Sequence, residues 1–502
     1  MARNPRRNIL IVMVDQLSPR FLPIHGHPVV MAPNLERLAG RGVVFERAYC
    51  NSPLCSPSRT AFMTGALPSR TGGYDNAAEF RSDIPTFAHY LRRLGYRTVL
   101  SGKMHFCGPD QLHGFEERLT TDIYPADYGW TPDWTRPEHR PEWYHTMDSV
   151  TQAGPCARTN QLDFDEEVMF AARQKLFDIA RGGDTRPFCM VVSLSHPHDP
   201  FTITEPYWNR YADARIDPPR VIEPAGDPHS LRVRHVIGLE QQTPTPEQVQ
   251  AARRAYYGAV SFVDDQVGVV MATLRDARLA QDTIVVVLSD HGEMLGERGL
   301  WFKMSFFEPA CRIPLIVHAP QRFAARRVTD AVSLVDLLPT LAEIAGDGEA
   351  PDYMAPVDGR SLLGQLAGGD GHDEAAGEYL AEGAVAPVVM LRRGRHKFIH
   401  SAADPDQLFD LAADPDERRN LAGSEPAVAA SFRAEVARRW DLPALHADVL
   451  ASQRRRLFVD ATLRQGAGTP WDYQPVRDAT KMYVRSTMKL DDIEAMGRFP
   501  RV

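Results

Sequence analysis

An α/β fold built on a large, mostly parallel sheet is the architecture this sequence predicts. Short continuous apolar runs mark strands covered on both faces. Helix-length stretches lie between them, the alternation that produces a parallel sheet. The runs also end in polar residues able to do chemistry, and ligands of such sheets bind at the carboxyl ends of the strands.

In chain order, Asn8–Val14 is an apolar run followed directly by Asp15 and Gln16. Cys55 comes before Thr60–Gly65, which reads as the start of a helix. A nucleophile there faces unpaired backbone N–H groups, a place suited to an anion. Arg59, one turn in, offers its forked donors to an oxyanion. Thr86–Leu94 reads as a helix, and the run Tyr96–Leu100 then leads into Ser101-Gly102-Lys103-Met104-His105. Residues 105–160 are rich in Trp, Tyr, Pro, His and Asp with little periodicity, a functional loop rather than a disordered one given Trp130, Trp134 and Trp143. Asp165–Arg181 is helical, Phe188–Leu194 is a run ending at Ser195–Pro200, Pro246–Arg278 is helical, and Thr283–Leu288 ends at Ser289-Asp290-His291-Gly292. After the helix Ser333–Ile344, a break at Gly346–Gly348 precedes short strands around 378–382, 388–392 and 396–400, with Gly394 at a turn, and then Gln407–Leu411. A helix from Ser424 to Trp440, capped by Ser424 with Pro426 in its first turn, closes this part. The expected division is a catalytic α/β domain over 1–350, a small sheet and helix over 351–441, and an extended tail over 442–502.

Composition narrows the function. The chain has 502 residues, 43% hydrophobic and 24% charged, and a net charge of −8 that argues against a nucleic-acid partner. It holds no apolar run long enough to span a membrane. The basic start, Arg3 to Val14, is no signal peptide: Ile9–Val14 is too short, Asp15 ends it, and no small-residue cleavage site follows. Six cysteines without paired spacing fit a reducing cytosol.

Asp15, Gln16, Asp290 and His291 form a candidate metal site beside Cys55. Two carboxylates, an amide oxygen and an imidazole suit one divalent ion, which would lower the pKa of an attacking hydroxyl. The imidazole moves the preference from Ca²⁺ toward Mn²⁺, with Ca²⁺ and Mg²⁺ still open.

Cys55-Ser56-Pro57-Ser58-Arg59 followed by Thr64-Gly65 resembles the signature of type I sulfatases. The resemblance implies the sulfatase and alkaline-phosphatase-like sandwich: helices on both faces of a large mixed sheet, and a small C-terminal antiparallel sheet. It also implies that Cys55 is converted by a formylglycine-generating enzyme to Cα-formylglycine, whose hydrate attacks sulfur. The chain departs from the commonest family pattern, an Asp-Asp and an Asp-Asn pair, at Gln16 and His291; the same change appears in the branch holding choline sulfatases and phosphonate monoester hydrolases. By the same resemblance Lys103 and Lys303 bind sulfate oxygens, His105 takes the proton that expels sulfate, and His198, with His196 competing, protonates the leaving alcohol. The stretches 102–116, 122–127, Gly129–Trp134 and Trp471–Pro475 look like choline sulfatases nearly end to end. Choline-O-sulfate is then the expected substrate. Its quaternary ammonium calls for aromatic faces and carboxylates: Trp130 and His145, with Glu382, Asn76 as a polar contact, and Asp491 or Asp492 from the tail of a neighbouring subunit. Trp134 and Trp143 read as packing for the loop. The aromatics Phe458, Trp471, Tyr473, Tyr483 and Phe499 make the tail an expected contact of a dimeric or tetrameric homo-oligomer. Two alternatives stay open: a phosphonate monoester or phosphodiester hydrolase lacking the ammonium box, and a binding protein with unmodified Cys55.

Overall fold

The apolar run after Asn8 becomes a central strand because it is buried along its whole length and paired on both sides. A computed structural model describes residues 7–468, 470–476, 478–485 and 488–500. Arg3 to Arg6, the basic start weighed above, lie outside the described residues. The strands are β1 (Asn8–Val14), β2 (Val43–Tyr49), β3 (Arg97–Gly102), β4 (Glu117–Arg118), β5 (Gly154–Cys156), β6 (Phe188–Leu194), β7 (Thr202–Thr204), β8 (Thr283–Ser289), β9 (Arg312–His318), β10 (Arg326–Ser333), β11 (Glu374–Tyr379), β12 (Val388–Arg393), β13 (His396–Ser401) and β14 (Asp404–Asp410).

The large sheet has the order β10-β2-β9-β8-β1-β6-β3-β4. Only β9 runs antiparallel to its two neighbours. The four runs picked out from the sequence are therefore adjacent and parallel, β8-β1-β6-β3, and all their carboxyl ends point the same way. Two helical layers bury the sheet. In one, Asn160–Arg181 packs on β3 and β6 and against the long helix Pro246–Asp276; in the other, Cys55–Thr64, Phe87–Arg93 and Leu337–Ala345 pack together. The long helix begins with a reciprocal cap: Thr245 Oγ1 accepts from Gln248 N at 3.3 Å, and Gln248 Oε1 accepts from Thr245 N at 2.8 Å.

The second sheet is antiparallel, β11-β12-β13-β14, with Gly394 at φ 58° in the turn between β12 and β13. It abuts β10, and Asn51 stitches it to the loop before Cys55: Asn51 Nδ2 donates to Ala376 O at 2.7 Å, and Glu378 N donates to Asn51 O at 2.8 Å.

Two expectations change here. The helix after the small sheet is Pro426–Arg439, and its N-cap is Glu425; Ser424 stands one residue before the cap, its hydroxyl donating back to Leu421 O. The last part of the chain is not an extended tail from 442 onward. Leu442–Leu463 is a 22-residue helix seated on this chain's own core. Its Arg456 makes two 2.7 Å bonds to buried Asp75, and Gln453 Oε1 accepts from Trp134 N at 3.0 Å. Beyond it, the ring of Trp471 meets Tyr128 edge-on at 5.0 Å, and Asp472 accepts from Ala126 N at 3.3 Å. Phe458 and Tyr483 remain 72% exposed, so the apolar content of the tail is only partly covered by its own chain.

Candidate active site

The geometry follows from the strand order. Asp15 leaves β1, Lys103 and His105 leave β3, His198 follows β6, and Asp290 and His291 leave β8, so residues far apart in sequence share one crevice. Cys55 reaches it as the first residue of Cys55–Thr64. Its loop is held from both sides: Asn51 Oδ1 accepts from Val335 N at 3.0 Å, and Pro53 O accepts from Met304 N at 3.1 Å.

Around Cys55 Sγ lie His291 Nε2 at 3.2 Å, Lys103 Nζ at 3.7 Å and Asp15 Oδ1 at 3.9 Å. The ligand atoms of Asp15, Cys55, Asp290 and His291 all fall within 4.8 Å of one another, and all four residues are buried. This donor set fits a divalent cation. His291 Nδ1–H donates to Gly292 O at 3.0 Å, which leaves Nε2 with a lone pair turned toward the two carboxylates. Burial, together with Lys303, pushes the His291 imidazole toward its neutral, ligating form against the pull of Asp290 and Asp15.

Arg59 departs from its expected role. Its guanidinium is fully buried and spent on protein acceptors: Nε on Asp290 Oδ2 at 2.8 Å, Nη2 on Asp15 Oδ2 at 2.9 Å, Nη1 on Lys103 O at 2.6 Å and Ser193 Oγ at 2.9 Å. It locks the carboxylate pair in place rather than gripping an oxyanion. Burial disfavours the charge on Asp15, but the Lys103 and Arg59 cations outweigh it and hold that carboxyl well below the usual range.

Opposite lies a second cluster. Lys303 Nζ donates to His198 Nε2 at 2.8 Å and to Gln16 Oε1 at 2.5 Å. His198 Nδ1–H donates to Asp199 O at 2.7 Å, and Nε2, facing the Lys303 ammonium, is left to accept. Burial and the Lys303 charge push His198 well below the ordinary imidazole value, while the negative charge around Lys303, from Asp199, Asp15 and Asp290 among others, overcomes burial and raises it. The acidic proton next to His198 thus sits on Lys303. His196, the competing assignment, is tied to Asp165 Oδ2 at 2.7 Å. Gln16 turns its amide oxygen to Lys303 and its amide nitrogen to Asp199 and Glu293.

The aromatic loop closes the other side. His105 packs at 5.3 Å from the Tyr124 ring and 5.7 Å from Trp130, and Trp143 stacks on Trp130 at 6.3 Å. His145 contacts His198 and stacks on Phe302 at 4.5 Å. Trp134 is buried, donating Nε1–H to Ala381 O at 2.9 Å. Glu382, next in sequence to that carbonyl, is buried, and its Oε2 has no hydrogen-bond partner. Burial, with Asp75 nearby, pushes Glu382 up to about 7.

Asn76 is not where the substrate-contact reading wanted it, and Asp491 lies away from this chain's own crevice. The Asn76 carboxamide oxygen accepts from Ser56 N at 3.0 Å, taking one of the open N–H groups beside Cys55, so it caps the helix. Asp491 sits exposed on the short helix Leu490–Gly497, in a groove lined by the tail itself. Residues that sequence reasoning passed over include Asp199, which backs both His198 and His145, and Glu293, which burial pushes up to about 8. Asp199 stood inside the Ser195–Pro200 stretch and Glu293 directly after His291-Gly292, but nothing in either position says which way a carboxylate turns.

The family model described as Sulfatase matches residues 7–347. Those described as N-sulphoglucosamine sulphohydrolase, C-terminal, and Choline sulfatase enzyme C terminal match 296–439 and 447–499. The chain is 47% identical over 506 residues to the choline-sulfatase of Rhizobium meliloti (strain 1021), covering 98% of each. It is 30% identical to the iduronate 2-sulfatase of Mus musculus over 68% of each. In structure it resembles the phosphonate monoester hydrolase of Agrobacterium radiobacter, with a TM-score of 0.69 and 25% identity over 88% of this chain and 96% of that one.

Proposed function

This chain belongs to the sulfatase family and is a sulfuric ester hydrolase, and from that premise we propose that its substrate is choline-O-sulfate, hydrolysed to choline and sulfate. The observation that carries the choline assignment is Glu382, a buried carboxylate with an oxygen that no protein donor meets. A quaternary ammonium carries charge but no N–H. It is held by negative charge and aromatic faces without needing directional hydrogen bonds, and the Trp130 and His145 rings supply such faces. The likeness to a choline-sulfatase over 98% of both chains supports the same reading.

In this reading residue 55 works as the hydrate of Cα-formylglycine, made from Cys55 by a formylglycine-generating enzyme, and the thiol sulfur occupies the place of the hydrate oxygens. One hydroxyl, having given up its proton to water, attacks sulfur as the alkoxide; the bond from sulfur to the choline oxygen breaks, and that oxygen takes a proton. An alkyl alcohol leaves poorly, so the acid matters. The Lys303–His198 pair serves it, the proton starting on Lys303 Nζ. His105 then takes the proton of the remaining hydroxyl, the carbon–oxygen bond to sulfate breaks, and the aldehyde returns. Lys103 and Lys303 receive the sulfate oxygens. Asp15, Asp290 and His291, with residue 55, would hold a divalent cation, Mn²⁺ favoured; Gln16, expected among the ligands, has its amide oxygen on Lys303. When bound it lowers the pKa of the attacking hydroxyl and neutralises charge on sulfate.

Six unpaired cysteines suit a cytosolic home. The exposed tail residues Tyr483, Met488, Leu490 and Met496 suit burial in a dimer or tetramer. In such an assembly Asp491 would serve a neighbour's site.

The resemblance to a phosphonate monoester hydrolase favours that chemistry as a second reading. The kcat/KM for choline-O-sulfate against that for an aryl phosphonate separates them. The choline reading expects the sulfate ester to win by orders of magnitude; a preference for the phosphonate would replace it.

A further inference from the structure

His105 is buried with neither ring nitrogen hydrogen-bonded, and its backbone sits at φ 53°, a left-handed conformation that costs a non-glycine residue energy. Nothing bonds the imidazole itself, so its aim depends on what holds the backbone beneath it. One carboxylate does this. Asp122 Oδ2 accepts from His105 N and from Met104 N, each at 2.9 Å, and from Arg118 Nη2 at 2.7 Å, while Oδ1 accepts from Ile123 N at 2.9 Å. Arg118 is itself buried and fixed, with Nη1 on Gln111 O at 3.0 Å and Gln111 Oε1 at 2.7 Å. The next turn of the same loop carries Tyr124, whose ring flanks His105.

We propose that Asp122 is a positioning residue for the reaction: by clamping the strained Met104–His105 backbone it aims the otherwise unbonded His105 imidazole at the residue 55 hydroxyl. This rests on the reading of His105 as the base that releases sulfate. In that step His105 takes the hydroxyl proton, the electron pair of the O–H bond forms the C=O, and sulfate leaves with the pair of the broken C–O bond. An amide cannot replace the carboxylate here. A carboxamide at this position would offer one accepting oxygen to donors that now use two, and would turn an N–H₂ against N–H groups.

The test is Asp122→Asn beside His105→Ala, each read by the mass of the peptide containing residue 55 after mixing with choline-O-sulfate. If release of sulfate is slowed while its arrival is not, kcat falls by about a hundredfold, the cost of misplacing a catalytic group by about 1 Å. KM falls with it and kcat/KM holds, and sulfate accumulates on residue 55. A merely structural loss would lower kcat/KM and accumulate nothing. If His105→Ala accumulates no sulfate, the reading of His105 fails, and the proposal with it. If His105→Ala does and folded Asp122→Asn does not, only the positioning role fails. Should Asp122→Asn not fold, Asp122→Glu, which keeps the charge but shifts both oxygens, takes its place: accumulated sulfate supports the clamp, and normal release overturns it.

Discussion

Replacing Glu382 by Gln tests the ammonium site through two opposing effects of one buried charge. Burial moves this carboxyl from 4.5 to about 7. That difference is worth about 3 kcal/mol against the ionised form. Because the folded-state value is raised, the stability linked to Glu382 is fully present below about 4.5 and is lost as pH rises through about 7. Glu382→Gln removes the penalty, so the variant should be more stable than the parent by up to about 3 kcal/mol above pH ~8 and equal to it below pH ~4. Binding moves the other way. A carboxylate about 5 Å from an ammonium at an effective dielectric of about 20 contributes about 3 kcal/mol, or about two orders of magnitude in kcat/KM. The assay is kcat/KM for choline-O-sulfate divided by that for an alkyl sulfate that carries no ammonium, which cancels the chemistry both substrates share. In the parent this ratio should fall about tenfold per pH unit below pH ~7 as Glu382 takes a proton. In Glu382→Gln it should be low and flat. An unchanged ratio in the variant would refute the role of this carboxylate in choline recognition, whatever the stability does.

Other outcomes follow from the same geometry. Cys55→Ser should lose steady-state turnover and keep substrate affinity, since a serine lacks the second hydroxyl that expels sulfate; near-normal turnover by a progress-curve assay would contradict the aldehyde. Arg59→Gln leaves Asp15 and Asp290 buried without their clamp and should cost about 3–5 kcal/mol in chemical denaturation, with added Mn²⁺ restoring part of it; a loss that no divalent cation touches would speak against the metal site. Removing residues beyond 465 should lower the mass by light scattering and raise KM, whereas an unchanged mass and KM would make the tail a wrapping on its own core.

The catalytic crevice was legible in the sequence because its logic is topological. Apolar runs ending at Asp15, Lys103, His198 and Asp290 need only be adjacent and parallel for their ends to meet, and β8-β1-β6-β3 is that order. The direction of a side chain was not legible. Arg59 beside Cys55 looks equally able to hold an anion or two carboxylates; only the approach of β1 and β8 to the Cys55–Thr64 helix decides for the carboxylates. Asn76 was likewise ambiguous until its neighbour proved to be an open helix N-terminus. The seating of Leu442–Leu463 was hidden for another reason. Its polar ties to the core join residues more than 300 positions apart, Arg456 with Asp75 and Gln453 with Trp134, and neither end carries a local signal. Glu382 was the opposite case: a carboxylate in the turn after β11, singled out by the need for a counter-charge, with its Oε2 left by the fold without a donor.

Turnover by this mechanism depends most directly on the chemical state of residue 55, and the mass of the peptide Asn51–Arg59 from catalytically active protein reads it. This peptide should carry an aldehyde, lighter than the cysteine form, and the aldehyde fraction across preparations should scale with kcat on choline-O-sulfate. Full turnover from a preparation whose residue 55 is entirely thiol would contradict it.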